Sequence, residues 1–277
     1  MREDICFSPE DQQFVDRATN FCERMGGRAV LMLIGSRAAN FTDSWSDLDL
    51  CVIGDKCHLS DEDRKSYERD RQLFVDRGDY EAHWTFYDEG DLRAWLETYP
   101  DEMMWVVANS RTLYGCSTTA EELKQHYCVY PPVVAERKLK WMFGKYYFSQ
   151  SGPLAMAARN KVETAFIAVG NVIEYLCKMC CVADRQPFPY EKWLVEAAKR
   201  TRLGAMVYPS IQRAIGGIGD FLNLPTDRNW REWMPVKELR GTLSIVQSGL
   251  KELGWDGDWI DDPNAVYFGE TVRRPAP

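Results

Sequence analysis

Two short apolar runs, AVLMLIG (Ala29–Gly35) and LDLCVIG (Leu48–Gly54), limit most tightly what this chain can fold into. Both read as buried strands: they are short, rich in branched apolar residues and bounded by turn signals. Yet Asp47 and Asp49 stand at the start of the second run. An unpaired carboxylate inside a buried strand is costly. Residues two apart on a strand project from one face, so the two acids lie side by side. Like charges at that spacing repel unless a cation lies between them. Hard divalent ions such as magnesium take carboxylate oxygens and keep places for phosphate oxygens and water. Gly35 and Ser36, which end the first run, supply a backbone that can approach a phosphate, with N–H donors and a hydroxyl. A third acid from a neighbouring strand would complete a two-metal site for phosphoryl transfer.

The rest of the chain sorts into two patterns. Ser8-Pro9-Glu10 opens a helix with Phe14, Val15, Ala18 and Phe21 or Cys22 on one face, stopped at Gly26-Gly27. The charged stretch 60–78 reads as one surface helix. DYEAHWTFYDE (79–89) alternates, with Ala82, Trp84 and Phe86 opposite Glu81 and His83, and reads as a third strand. A short helix precedes Pro100, residues 103–115 read as a strand pair or a strand and turn, and 117–127 as a capped helix. Past VYPPVV (129–134) long helical patterns take over: 135–150, 154–183, 189–201, 206–221 and 234–254. The expected architecture is α+β. A sheet-bearing domain covers 1–130, a helical domain covers 131–277 with the boundary at Pro131-Pro132, and the tail from 256 is irregular.

Composition narrows the partners. The chain of 277 residues is 45% hydrophobic and 27% charged, an ordinary globular balance. No apolar run approaches the roughly 18 residues of a membrane span, and the charged N-terminus has no signal core. Nine cysteines in no paired zinc-like spacing read as reduced thiols in the cytoplasm. A net charge of −8 disfavours a generic nucleic-acid surface and suits a cationic small molecule better. The aromatic cluster KWMFGKYYF (140–148) reads as core before stacking platform.

Gly35-Ser36, a spacer, then SDLDL (Ser46–Leu50) between apolar strands resembles the nucleotidyltransferase superfamily of DNA polymerase beta. The layout is most similar to the small bacterial enzymes that modify aminoglycosides and lincosamides. The resemblance extends to RTLYG (111–115), a closing strand that in the family usually ends in Asp and here ends in Gly115. It also extends to a long helix followed by PFPYEKWL (187–194). It implies Asp47, Asp49 and Glu81 as the catalytic and metal-binding carboxylates, with Glu81 as base, metal ligand or both. It implies Gly35, Ser36, Arg37, Ser46 and Lys192 as nucleotide contacts. His83 shares the expected facing of Glu81 and competes with it through a register slip of two. Arg159 and Lys161 are placed near the family's cleft, though a solvated helix face explains them equally well.

The function implied is transfer of a nucleoside monophosphate to a hydroxyl. ATP is the favoured donor, and two magnesium ions assist. The acceptor is a small, cationic molecule, with aminoglycoside-like antibiotics among the candidates. Two rival readings remain: transfer to tRNA or protein, and a non-catalytic nucleotide-binding regulator. The first is weakened by the acidic charge, the second by the intact Ser36, Asp47 and Asp49.

Overall fold

The two apolar runs become the middle of a mixed sheet. The structure, a computed structural model, describes residues 7–26, 28–44, 46–70, 73–77, 82–151, 161–219 and 233–268. β1 (Val30–Leu33) and β2 (Leu48–Gly54) pair antiparallel, with Leu33 opposite Leu50 and Val30 opposite Ile53. β3 (Leu73–Arg77) and β4 (Ala82–Asp88) pair antiparallel to each other, and β4 runs parallel to β2. β5 (Arg111–Tyr114) joins β1 on the far side, giving the order β3-β4-β2-β1-β5. Strand alternation then assigns the faces. Leu31, Leu33, Leu48, Leu50, Val52, Trp84 and Phe86 share one core with Phe14, Ala18, Phe21 and Cys22 of α1 (Pro9–Arg24). α1 starts where Ser8 and Asp11 form a capping box.

Short helical pieces connect the strands. α2 (Gly35–Ala38) follows β1 directly, and a 3-10 turn (Lys56–His58) follows β2. α3 (Asp61–Asp70), α4 (Glu89–Leu96), α5 (Asp101–Asn109) and α6 (Ser117–Tyr127) complete the first of two compact units, Met1–Val129.

Three local expectations need correction. The stretch 60–78 is not one helix: α3 ends at Asp70, and Leu73–Arg77 is a strand. Leu73-Phe74-Val75 has strand character, and pairing with β4 outweighs continuation of a helix whose residues are nearly all charged. Residues 103–109 are helix rather than strand. Pro100 and the acids Asp101 and Glu102 suit a helix start, and Met104, Trp105 and Val107 turn inward. The tail is not irregular throughout. It forms α12 (Asp258–Asp261) and α13 (Pro263–Phe268), which bury Trp259, Ile260 and Val266.

The second unit, Tyr130–Pro277, is helical. It contains α7 (Pro132–Ser151), α8 (Val162–Ala183), α9 (Glu191–Lys199), α10 (Arg202–Gly216) and α11 (Met234–Glu252), followed by the two short helices. α8 is long and apolar enough to cross a membrane by length and composition. It packs against α7, α9, α10 and α11, with Ala165, Val169, Val172, Leu176 and Cys180 buried. Met142, Phe143 and Tyr146 of the aromatic cluster are buried too, and the Tyr146 hydroxyl pairs with Thr242 at 2.6 Å. None of the eight cysteines among the described residues forms a disulfide.

Candidate functional site

The acids do not sit in the α1-facing core. Asp47 lies one residue before β2 and Asp49 is its second residue. Both are half-buried, whereas Leu48 and Leu50 between and after them are fully buried. The alternation puts the carboxylates on the sheet face away from α1, with Cys51 following on the same side. Burial pushes the Cys51 thiol up to about 12, so no thiolate competes with the acids at neutral pH. Asp47 makes no hydrogen bond or ion pair with the described residues.

Antiparallel pairing brings the end of β1 to the start of β2. The Ile34 N–H donates to the Asp49 carbonyl at 2.9 Å. Gly35 follows with φ +70°, a conformation that L side chains rarely adopt. A Cβ on Gly35 would collide with the Asp49 carboxylate. The glycine is therefore required twice, by its dihedral and by the acid lying against it. Ser36 is 2% exposed, and its hydroxyl oxygen has no hydrogen-bond partner. A buried hydroxyl left unpaired costs about 1–3 kcal/mol. The oxygen is covered, so a phosphate meets it only if the side chain or its cover moves.

Two arginines brace this turn. Arg37 donates to the Asp11 carboxylate of α1 at 2.7 Å and to the Ser46 carbonyl at 3.0 Å. One guanidinium thus ties the residue after Ser36 to the residue before Asp47. The Ser46 hydroxyl accepts from the Asp43 N–H at 2.9 Å and donates to the Asp43 carboxylate at 3.0 Å, closing the preceding loop. Arg37 and Ser46, expected on the nucleotide, act in this structure as fasteners. Behind α2, Arg111 of β5 donates to the Ala38 carbonyl at 3.1 Å and to Asn40. Phe41 stacks on Trp105 at 5.9 Å.

Asp11 and Arg111 escaped sequence reasoning. Asp11 has a local role as the partner of Ser8 in the capping box, and nothing in the sequence marks it for a second one. Its burial, at 6% exposed, shows only in three dimensions. Arg111 carries no local signal beyond its place at the start of β5.

The remaining expected residues lie outside the described residues or in the second unit. Glu81 lies outside the described residues, immediately before β4, and Arg159 lies outside them as well. The parallel register sets Ala82 opposite Leu48 and His83 opposite Asp49. Lys192 belongs to the second unit, in the first turn of α9. It is exposed, with its ammonium 5.3 Å from the Trp193 ring centre. Lys161 is the exposed N-cap of α8.

The first unit therefore gathers Gly35, Ser36, Asp47 and Asp49 at one end of the sheet, with Arg37 and Ser46 holding the frame. Half-buried carboxylates, a positive-φ glycine against one of them and an orphaned hydroxyl fit a hard cation with a phosphate beside it.

No family model matches the chain, and no curated protein sequence matches it. Among solved structures it is similar to a nucleotidyltransferase-like protein from Exiguobacterium sibiricum 255-15. The identity is 12% and the TM-score 0.41, with 87% of this chain and 79% of that chain covered. A likeness that shallow assigns nothing, so function has to be argued from the site.

Proposed function

We propose that the chain is a magnesium-dependent nucleotidyltransferase that moves AMP from ATP to a hydroxyl of a small cationic molecule, an aminoglycoside-like antibiotic being one candidate. The observation that carries this reading is the closeness of Gly35 to Asp49. The only residue type that fits the turn sits where a carboxylate and a phosphate would share a cation.

Asp47 and Asp49 would hold magnesium, which when bound offsets charge on the phosphate oxygens and on the departing pyrophosphate. The chain's own residues do the rest. The Gly35-Ser36 turn orients the triphosphate through its backbone and, once uncovered, the Ser36 hydroxyl. The Arg37 brace fixes the spacing between that turn and the acids. The acceptor oxygen bonds to the α-phosphorus as the bridging oxygen to the β-phosphorus departs with pyrophosphate. The acceptor's proton passes to Glu81, proposed as the third carboxylate from its sequence position alone. The net charge of −8 favours a cationic acceptor over tRNA.

The test is incubation of the full chain with each α-labelled triphosphate, magnesium and a panel of acceptors: aminoglycosides, lincosamides, tRNA, proteins and none. Label moving from ATP to a small hydroxyl compound, absent with D49N, is expected. Nucleotide binding with no transfer to any acceptor would make the chain a regulator instead.

A further inference from the structure

We propose that the turn after β2 is a second, chemically different cation site, in which the Asp55 carboxylate, the Cys57 sulfur and the His58 imidazole bind a thiophilic divalent ion of the zinc class. One potential ligand atom from each of the three lies within 4.8 Å of the others. Tetrahedral zinc with bonds of about 2.0–2.3 Å holds its ligand atoms about 3.3–3.8 Å apart. All three side chains are exposed, so small rotations close that gap without disturbing a core. Three protein ligands would leave a fourth position for water or a further ligand.

The backbone that presents these donors is already fixed. The Cys57 N–H donates to Asp55 Oδ1 at 2.8 Å, and the His58 N–H donates to the Asp55 carbonyl at 3.1 Å. Arg64 donates to the Cys57 carbonyl at 2.9 Å. The Lys56 N–H donates to Asp88 at 2.9 Å, and its ammonium meets Asp91 at 3.0 Å. The cation therefore has little chain to order on binding, which lowers the entropic cost. The donor set decides the metal: sulfur and imidazole favour zinc over magnesium, whereas Asp47 and Asp49 offer only oxygen. The two places lie at opposite ends of β2, about 20 Å apart at 3.3 Å per residue. On binding, the Cys57 thiol gives its proton to solvent and sulfur bonds to the metal.

The test is a cobalt(II) titration of the full reduced chain carrying D47N and D49N, which removes the oxygen site. Expected are a near-ultraviolet sulfur-to-cobalt charge-transfer band saturating at one ion per chain and its loss when zinc is added. The band should vanish in C57S and persist in C116S, which removes the other exposed thiol among the described residues. D55N and H58A should each weaken binding by about tenfold or more. The proposal falls if no band forms or if the band survives C57S. It falls equally if D55N and H58A bind like the parent, which would mean a lone thiol taking up metal adventitiously.

Discussion

Two turns of similar size follow consecutive strands, and they are built to opposite rules. The 3-10 turn after β2 has its backbone N–H groups paired. Asp88 accepts from the Lys56 N–H at 2.9 Å and from the Asp91 N–H at 3.0 Å, while its own N–H donates to the Tyr67 hydroxyl at 3.1 Å. The α2 turn after β1 leaves the buried Ser36 hydroxyl without a partner and sets a positive-φ glycine tight against Asp49. Both turns are pinned to their surroundings, by Lys56 and Arg64 in one case and by Arg37 and Arg111 in the other. The difference lies in what each frame holds. Satisfied groups stabilise a fold. Unsatisfied groups inside a braced frame are strain that the fold tolerates, and such strain gathers where ligands bind.

The strongest test sets the acids beside one turn against the acid beside the other. D47N and D49N should each lower transfer by at least about 10²–10³-fold, the scale of losing a group that stabilises transition-state charge. Their thermal stability without magnesium should hold or rise, because repulsion between the acids is relieved. D88A should do the reverse: two backbone N–H groups lose their acceptor, at a cost of about 1–3 kcal/mol in denaturant unfolding. Full transfer by D49N with magnesium as the only metal would end the comparison.

Next is the identity of the proton acceptor. E81Q should cut kcat by about 10²–10⁴-fold with triphosphate binding retained. H83A should keep most activity, even though β4 sets His83 opposite Asp49. The opposite result would give the role to His83 and withdraw Glu81.

G35A tests the tight contact. The added methyl meets both the unfavourable φ and the Asp49 carboxylate. Strain of about 1–3 kcal/mol should appear in unfolding, with transfer lost beyond what the stability change explains. D11A tests the brace. It leaves Arg37 without its carboxylate at a cost of about 1–3 kcal/mol and slackens the tie to Ser46. kcat should fall by about tenfold, the effect of roughly 1.4 kcal/mol on a barrier. The triphosphate KM should change little, and D11N, which keeps an acceptor oxygen, should restore part of the rate.

What the sequence reveals follows from how local each signal is. The Gly35-Ser36 and Asp47-Leu48-Asp49 patterns combine conflicting preferences within a few residues, acids in an apolar strand and a glycine at its end. Such conflicts point to sites. The alternation of Ala82, Trp84 and Phe86 against the core was legible for the same reason: a period of two needs only a few residues to show. β3 was not, because Leu73–Arg77 follows a charged helix without a turn residue between them, and only pairing with β4 defines it. Asp11 was hidden by a sufficient local reason for its presence. Its second partner, Arg37, lies 26 residues away, and no local pattern encodes a contact of that span.

The smallest expected effect is also the sharpest, because it has two signs. Two serines of the first unit are nearly fully buried beside the sheet. The Ser110 hydroxyl donates to the Val107 carbonyl at 2.8 Å, whereas the Ser36 hydroxyl has no partner. Removing a paired buried hydroxyl loses a hydrogen bond worth about 0.5–1.5 kcal/mol, while removing an unpaired one recovers part of its desolvation cost. S110A should therefore lower stability and leave triphosphate binding alone. S36A should raise the stability of the unliganded protein by up to about 1 kcal/mol. It should also weaken triphosphate binding by about 1–2 kcal/mol, the scale of a hydrogen bond to a charged group. Denaturant unfolding and triphosphate titration on the same two variants read both signs. If S36A stabilises the protein but binds triphosphate as before, the hydroxyl is a packing fault and the phosphate contact rests on the turn's backbone. If it destabilises, the hydroxyl has a partner in solution, and the contrast between the two turns is lost.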